Sequence, residues 1–121
     1  MRVAIGCDPN ADALKREVID ELQSLGHEVD DFGGDDPVYA NTILRVAEAV
    51  AAGDYDRGVV MCGTGLGASI AANKVPGADC ALLTDAYQAE RAQLSNNANL
   101  IALGAQVTGP RLARVLVHTY M

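Results

Sequence analysis

The sequence predicts a single-domain, doubly wound α/β protein: a five-stranded parallel sheet of Rossmann-like kind, with helices on both faces. Three observations carry this. Short, unbroken apolar runs alternate with amphipathic stretches along the whole chain, the pattern of strands buried on both faces and joined by crossover helices. The 121 residues suffice for one modest core and are too few for two. No linker, low-complexity run or internal repeat divides residues 1–121. Half the residues are apolar, but the only aromatics are one Phe and four Tyr, so the core must be Val, Leu, Ile and Ala packing.

Val3–Cys7 reads as the first buried strand. Asp12–Leu25 follows as a helix with Leu14, Val18, Ile19, Leu22 and Leu25 on one face, and Gly26 stands where a C-terminal cap belongs. His27–Phe32 is a shorter, edge-like strand ended by Gly33-Gly34. Asp35-Asp36-Pro37 has the chemistry of a helix start, and the second helix runs to about Ala52 on Ile43, Leu44, Val46, Ala47 and Val50. Strand three is Gly58–Cys62, and Ala68–Lys74 reads as the start of a helix. After the turn Val75-Pro76-Gly77 comes strand four, Cys80–Leu83, then a helix over Ala86–Leu94. Strand five is Leu100–Leu103, and a last helix starts at Pro110. The expected strand order is 2-1-3-4-5.

A net charge of −7 argues against nucleic acid or an anionic membrane as partner, because both demand cations. It leaves a phosphorylated metabolite open, since backbone N–H groups hold phosphate without lysines. Three widely spaced cysteines make no disulfide framework, and no cluster has metal-ligand spacing, so no metal is expected. The opening Met1-Arg2-Val3-Ala4-Ile5-Gly6 runs straight into a strand without the apolar core of a signal peptide. No segment approaches the ~18–20 apolar residues that span a bilayer. A cytoplasmic protein is expected.

The chemistry concentrates at Cys62-Gly63-Thr64-Gly65-Leu66-Gly67. A strand running into three glycines and then a helix leaves backbone N–H groups without intrahelical partners, a nest for an anion such as a phosphate, carboxylate or enolate. Cys62 at its lip meets helix-end N–H groups that stabilise a thiolate. Taken alone, such a Cys is more often a small buried hydrophobe. The glycines are not spaced GxGxxG, and Lys74 lies too far downstream for a P-loop. Ligands of such sheets bind beyond the carboxyl ends of the strands. Cys7-Asp8-Pro9-Asn10, Cys62–Gly67 and Thr84-Asp85-Ala86-Tyr87 are expected to meet there. Asp8 either touches a substrate hydroxyl or caps a helix.

Residues 62–77, Cys-Gly-Thr-Gly-Leu-Gly-Ala-Ser-Ile-Ala-Ala-Asn-Lys-Val-Pro-Gly, strongly resemble the ribose-5-phosphate isomerase B / galactose-6-phosphate isomerase family. Ala4-Ile5-Gly6-Cys7-Asp8 and Asn96-Asn97-Ala98-Asn99 before Ala102-Leu103-Gly104-Ala105 extend the likeness nearly end to end. The resemblance implies interconversion of phosphorylated aldoses and ketoses through an enediol, without metal or organic cofactor. It makes Cys62 the base that moves a proton between C1 and C2. Thr64 and the amides of Gly63, Gly65 and Gly67 become the oxyanion hole, with Leu66 also lining the site.

Two departures bear on the substrate. Ribose-5-phosphate isomerases of this type usually carry Asp-His after strand one, and a ring-opening His before the Asn-rich stretch. Here those places hold Asp8-Pro9, followed by Asn10, and Ser95, followed by Asn96. The only histidines, His27 and His118, read as surface or packing residues. An enzyme without a ring-opening imidazole suits a substrate with no closed ring. A four-carbon sugar phosphate qualifies, because the hydroxyl needed for a furanose is esterified. The inferred reaction is therefore D-erythrulose 4-phosphate to D-erythrose 4-phosphate. Tyr39-Ala40-Asn41 and Ala89–Asn97 also look like the erythrulose-phosphate branch of the family. Family members usually continue past this point with phosphate-contacting arginines; the C-terminal tail typical of the family is absent from these 121 residues, so either the sequence given lacks it or phosphate is held by other groups. Arg111 and Arg114 are then the basic candidates, with solvated surface as the alternative.

Ser95–Asn99 joins a helix to strand five and therefore belongs at the amino ends of the strands. Ser95 and Asn96 can serve a site only in a neighbour, which predicts a homodimer with shared active sites, possibly paired into a tetramer. The competing readings are a ribose-5-phosphate isomerase, a galactose-6-phosphate isomerase subunit, or a non-catalytic sugar-phosphate sensor. A redox role for Cys62 would need Cys7 or Cys80 to approach it.

Overall fold

A computed structural model describes all residues 1–121. Strands β1 (Arg2–Cys7), β2 (Glu28–Asp31), β3 (Arg57–Cys62), β4 (Cys80–Leu82) and β5 (Leu100–Gly104) form one fully parallel sheet. Helices α1 (Asp12–Ser24), α2 (Tyr39–Ala51), α3 (Leu66–Asn73), α4 (Ala86–Leu94) and α5 (Pro110–Tyr120) cover it. A 3₁₀ turn at Pro9–Ala11 precedes α1. The packing of α1 on α5, α4 on α5 and α2 on α3 sorts the helices into two layers, α1/α4/α5 and α2/α3. The doubly wound α/β class stands.

The strand order is β2-β1-β3-β5-β4, not 2-1-3-4-5. The reason lies in burial. Every residue of Leu100–Gly104 is buried, so β5 needs a neighbour on each side. Strand β4 has three residues, all only half-buried, and suits an edge. The polar β2, Glu-Val-Asp-Asp, takes the other edge. Alternation within the inner strands divides the core. Val3, Ile5, Val59, Met61, Ile101 and Leu103 face α1, α4 and α5. Ala4, Val60, Cys62, Leu100 and Ala102 face α2 and α3.

A second correction concerns α2. It starts at Tyr39, not at Asp35–Pro37. The Asp36 carboxylate accepts from Val38 N at 2.9 Å and Asn41 Nδ2 at 3.1 Å, so it closes a turn ahead of the helix. Those hydrogen bonds hold its carboxyl below the usual range. No helix is long and apolar enough to cross a membrane.

Candidate active site

Cys62 is the last residue of β3, beside Gly104 at the end of β5. Two close approaches shape the loop after it. Gly65 has φ +81°, and a Cβ there would lie 2.6 Å from Leu82 Cδ1 and 3.0 Å from the Leu103 carbonyl carbon. Across from it, a Cβ on Gly104 would run into the Thr64 carbonyl. The loop therefore lies flat on the end of β5, and α3 starts at Leu66, two residues before the expected Ala68.

This fold of the loop turns N–H groups outward. Gly65 N–H donates to Cys62 Sγ at 3.2 Å, and Leu66 N–H donates to Thr64 Oγ1 at 3.2 Å. The N–H groups of Gly63, Thr64, Gly67 and Ala68 have no hydrogen-bond partner in the chain. Gly63, Gly65 and Gly67 thus do three jobs: an open amide, a bond to sulfur, and an open amide at the start of α3. Thr64 keeps its hydroxyl proton free to donate. Leu66 points outward, 55% exposed, so it contributes its backbone rather than its side chain to the loop.

Asp8 follows β1, and its N–H donates to Met61 O at 3.0 Å, which seats it beside the cradle. One carboxylate oxygen accepts from Asn10 N at 2.7 Å, so it caps the 3₁₀ turn that Pro9 begins. Asn10 is exposed above α1. Asp8, Pro9, Asn10 and Cys62–Gly67 are brought together.

Thr84–Tyr87 is not brought there, because β4 lies beyond β5 at the sheet edge. Thr84 and Asp85 serve α4 instead: Thr84 N and Oγ1 donate to Gln88 Oε1, and Asp85 accepts from Gln88 N at 2.8 Å. Its place is taken by the turn after β5. Ala105 N donates to Cys62 O at 2.9 Å, and Gln106 N to Gly63 O at 2.8 Å. The Gln106 carboxamide lies over Gly63, 3.4–3.6 Å from where a side chain would point. Tyr39 places its hydroxyl against Gly67 from the start of α2. Sequence reasoning missed Gln106 because the wrong strand order hid its neighbour. Tyr39 stood in a family-like stretch, but nothing local announced its reach.

Ser95 and Asn96 lie at the other end of the sheet. Asn97 turns the chain with φ +49°, and Asn99 accepts from Asp79 N and donates to Gly77 O before β5 begins. Leu100 pairs with Gly58 and Gly104 with Cys62, so four strand steps of ~3.3 Å, about 13 Å, separate Leu100, the residue after Asn99, from the cradle. Within one chain they do not meet Cys62. Both histidines are also remote: His27 Nδ1 meets the N-terminal amine at 3.2 Å, and His118 on α5 meets Glu21 at 3.5 Å. Cys80 opens β4 at the amino end, and Cys7 faces the α1 side of the sheet while Cys62 faces the α2 side. Neither is positioned to pair with Cys62, and all three are free. No three His, Cys, Asp or Glu side chains converge as a metal site would require.

Residues 3–121 match the family model described as Ribose/Galactose Isomerase. The chain is 42% identical over 125 residues to a D-erythrulose-4-phosphate isomerase of Pectobacterium atrosepticum, covering all of this chain and 82% of that protein. It is also 42% identical over 124 residues to a ribose-5-P isomerase B of Listeria innocua, covering all of this chain and 84% of that one. Ribose-5-phosphate isomerase B of Clostridium thermocellum superposes with a TM-score of 0.93 at 47% identity, over 99% of this chain and 83% of that one. The chain belongs to the ribose/galactose isomerase family and is an isomerase.

Proposed function

We propose that this isomerase interconverts an aldose and a ketose of a phosphorylated sugar through an enediolate, and that its substrate is the open-chain tetrose pair D-erythrulose 4-phosphate and D-erythrose 4-phosphate. The reaction class is that named for its relatives. The observation that carries the mechanism is Cys62 Sγ, held at the carboxyl end of β3 by the Gly65 N–H beneath a ring of unpartnered amides. As a thiolate, the sulfur takes the proton from the carbon next to the carbonyl. Negative charge then grows on the carbonyl oxygen. The open N–H groups of Gly63 and Gly67 and the Thr64 hydroxyl receive it, stronger there than in water because the donors are already oriented. The proton returns from sulfur to the former carbonyl carbon, while the hydroxyl proton on the first carbon passes to the enediolate oxygen, so that the carbonyl is regenerated one carbon along. No metal is needed for these steps.

The tetrose reading rests on the missing imidazoles. Pro9 and Ser95 stand where ring-opening chemistry would need histidine, and both histidines lie far from Cys62. A relative named for erythrulose 4-phosphate at 42% identity supports it, although a ribose-5-P isomerase stands equally near.

The amino-end position of Ser95 and Asn96 supports a homodimer in which each chain completes its neighbour's site. Leu66 and Ile70, 55% and 60% exposed on the outer face of α3 beside the cradle, are the apolar surface such a partner would cover. The deciding assay measures coupled turnover of D-erythrulose 4-phosphate and D-ribose 5-phosphate, with Cys62→Ala as control. Tetrose turnover lost in the variant is the expected result. Efficient ribose 5-phosphate turnover with none of the tetrose would overturn the substrate.

A further inference from the structure

Lysine is among the residues least at home inside a protein, and this chain buries one. Lys15, in the first turn of α1, is 4% exposed and is the only buried charged side chain in the molecule. Its ammonium meets Asp31 at 3.1 Å and Asp12 at 3.3 Å. Burial works against the charge, but the hydrogen bonds to Asp31 and Asp12 and the nearby Cys7 hold the ammonium above its ordinary pKa. Both carboxylates keep contact with water, at 44% and 40% exposure, so neither needs a buried lysine to be satisfied. The desolvation of Lys15 is offset by what else it holds.

That is the turn between β2 and α2. Asp31 Oδ1, the atom nearest the ammonium, also accepts from Gly33 N at 2.8 Å, and Gly33 O accepts from Cys7 N at 3.1 Å. A Cβ on the next residue, Gly34, would lie 2.7 Å from Cys7 Sγ and 3.4 Å from Lys15 Nζ. The turn is therefore pressed onto the end of β1 with the Lys15 ammonium packed against it.

The turn in turn sets where α2 begins. Asp35–Val38 are all that join Gly34 to Tyr39, and Asp36 shortens the link by accepting from Val38 N and Asn41 Nδ2. Tyr39 lays its hydroxyl against Gly67, at a place that only a glycine leaves open. That hydroxyl bonds to no group of the chain, and the Gly67 N–H beside it is open too. Lys15 itself has no bond to Cys62–Gly67; its partners are Asp12 and Asp31.

We propose that Lys15 is a positioning residue for the reaction. Through Asp31 and the Gly33-Gly34 turn it fixes the start of α2, and so holds the Tyr39 hydroxyl at the Gly67 edge of the cradle, where that hydroxyl meets the substrate. The inference rests on the isomerase reading of the cradle given above, and the test separates the two.

Lys15→Met keeps the length of the side chain and removes its charge. It is expected to lower kcat/KM for D-erythrulose 4-phosphate about tenfold, and Tyr39→Phe should lower it about as much. The double variant tells positioning from a general loss of stability. If Lys15 acts through Tyr39, the two substitutions together cost about tenfold rather than about a hundredfold, while Lys15→Met lowers the melting temperature equally in both backgrounds. Losses that multiply, or an unchanged kcat/KM in Lys15→Met, overturn the proposal and leave the isomerase reading intact. Should Lys15→Met fail to fold, Asp31→Asn replaces it in the same cycle, since it keeps an oxygen for Gly33 N and releases the ammonium. If the wild type turns over no sugar phosphate, the Gly67 Cα proton resonances decide, because the Tyr39 ring lies against that carbon. A shift in Lys15→Met in the direction produced by Tyr39→Leu upholds the anchor, and unmoved resonances refute it.

Discussion

Cys7 and Cys62 close neighbouring parallel strands at the same end of the sheet, and both are buried. They differ in the segment that each strand runs into. Cys62 leads into the glycine loop, receives the Gly65 N–H at 3.2 Å and faces open amides. Cys7 sits on the other face beneath Gly34, and burial pushes its thiol up to about 11 even with the Lys15 ammonium nearby to oppose it. Cys80, at the amino end of β4, is pushed up by burial to about 12. Burial alone makes a cysteine inert. A reactive one needs donors with no other partner, and only the β3 loop supplies them.

The contrast is most exposed to an activity test. Cys62→Ala should lower the turnover number by about 10³, whereas Cys7→Ala should stay within about threefold. Brief treatment with iodoacetamide, read by peptide mass spectrometry, should label Cys62 well before Cys7 or Cys80. Equal losses of activity or equal labelling would break the comparison.

Next in size is the contrast between the two ends of the sheet. Cys62→Ala and Asn96→Ala chains should each be impaired as pure proteins. Refolded together at equal amounts, they should recover roughly a quarter of wild-type activity, because half the dimers are mixed and each mixed dimer has one intact site. No recovery above the sum of the parts would refute shared sites.

The loop itself can be tested against an ordinary turn. Gly65→Ala adds positive-φ strain and a clash with Leu82 and the β5 backbone, which should cost about 2–4 kcal/mol in denaturant unfolding. Gly53 has φ +85° but open space around it, so Gly53→Ala should cost about 1 kcal/mol. Equal costs would show that the loop is not pressed on β5.

The smallest effect sharpens the picture of Cys7. Its thiol ionises near 9 when unfolded and near 11 when folded, so the unfolded state gains charge first as the pH rises. The stability it contributes is complete below about pH 9 and is lost on the way to pH 11. The melting temperature of the wild type should therefore fall more steeply than that of Cys7→Ala between those pH values. Parallel curves would mean that Cys7 is accessible. Cys80, shifted the same way, continues the decline in both proteins.

The division between sequence and structure follows the range of the interactions. Periodicity, glycine placement and helix-cap residues act over a few neighbours. They were enough to read the doubly wound class, all five strands and the cradle at Cys62–Gly67 from the chain alone. Asp8 read as cap or ligand, and the cap is visible, with one oxygen still free of Asn10. The start of α2 was misplaced because an acidic residue and a proline can close a turn as readily as begin a helix. Strand order needed tertiary structure, because a parallel strand's neighbours depend on which run can be buried on both edges, a property of the assembled sheet. Everything that depends on that order was beyond the sequence too: Thr84–Tyr87 left the site, and Gln106 entered it. Local chemistry points to the candidate base and its cradle, while the meeting of loops separated by about a hundred residues is decided only when the strands between them are packed.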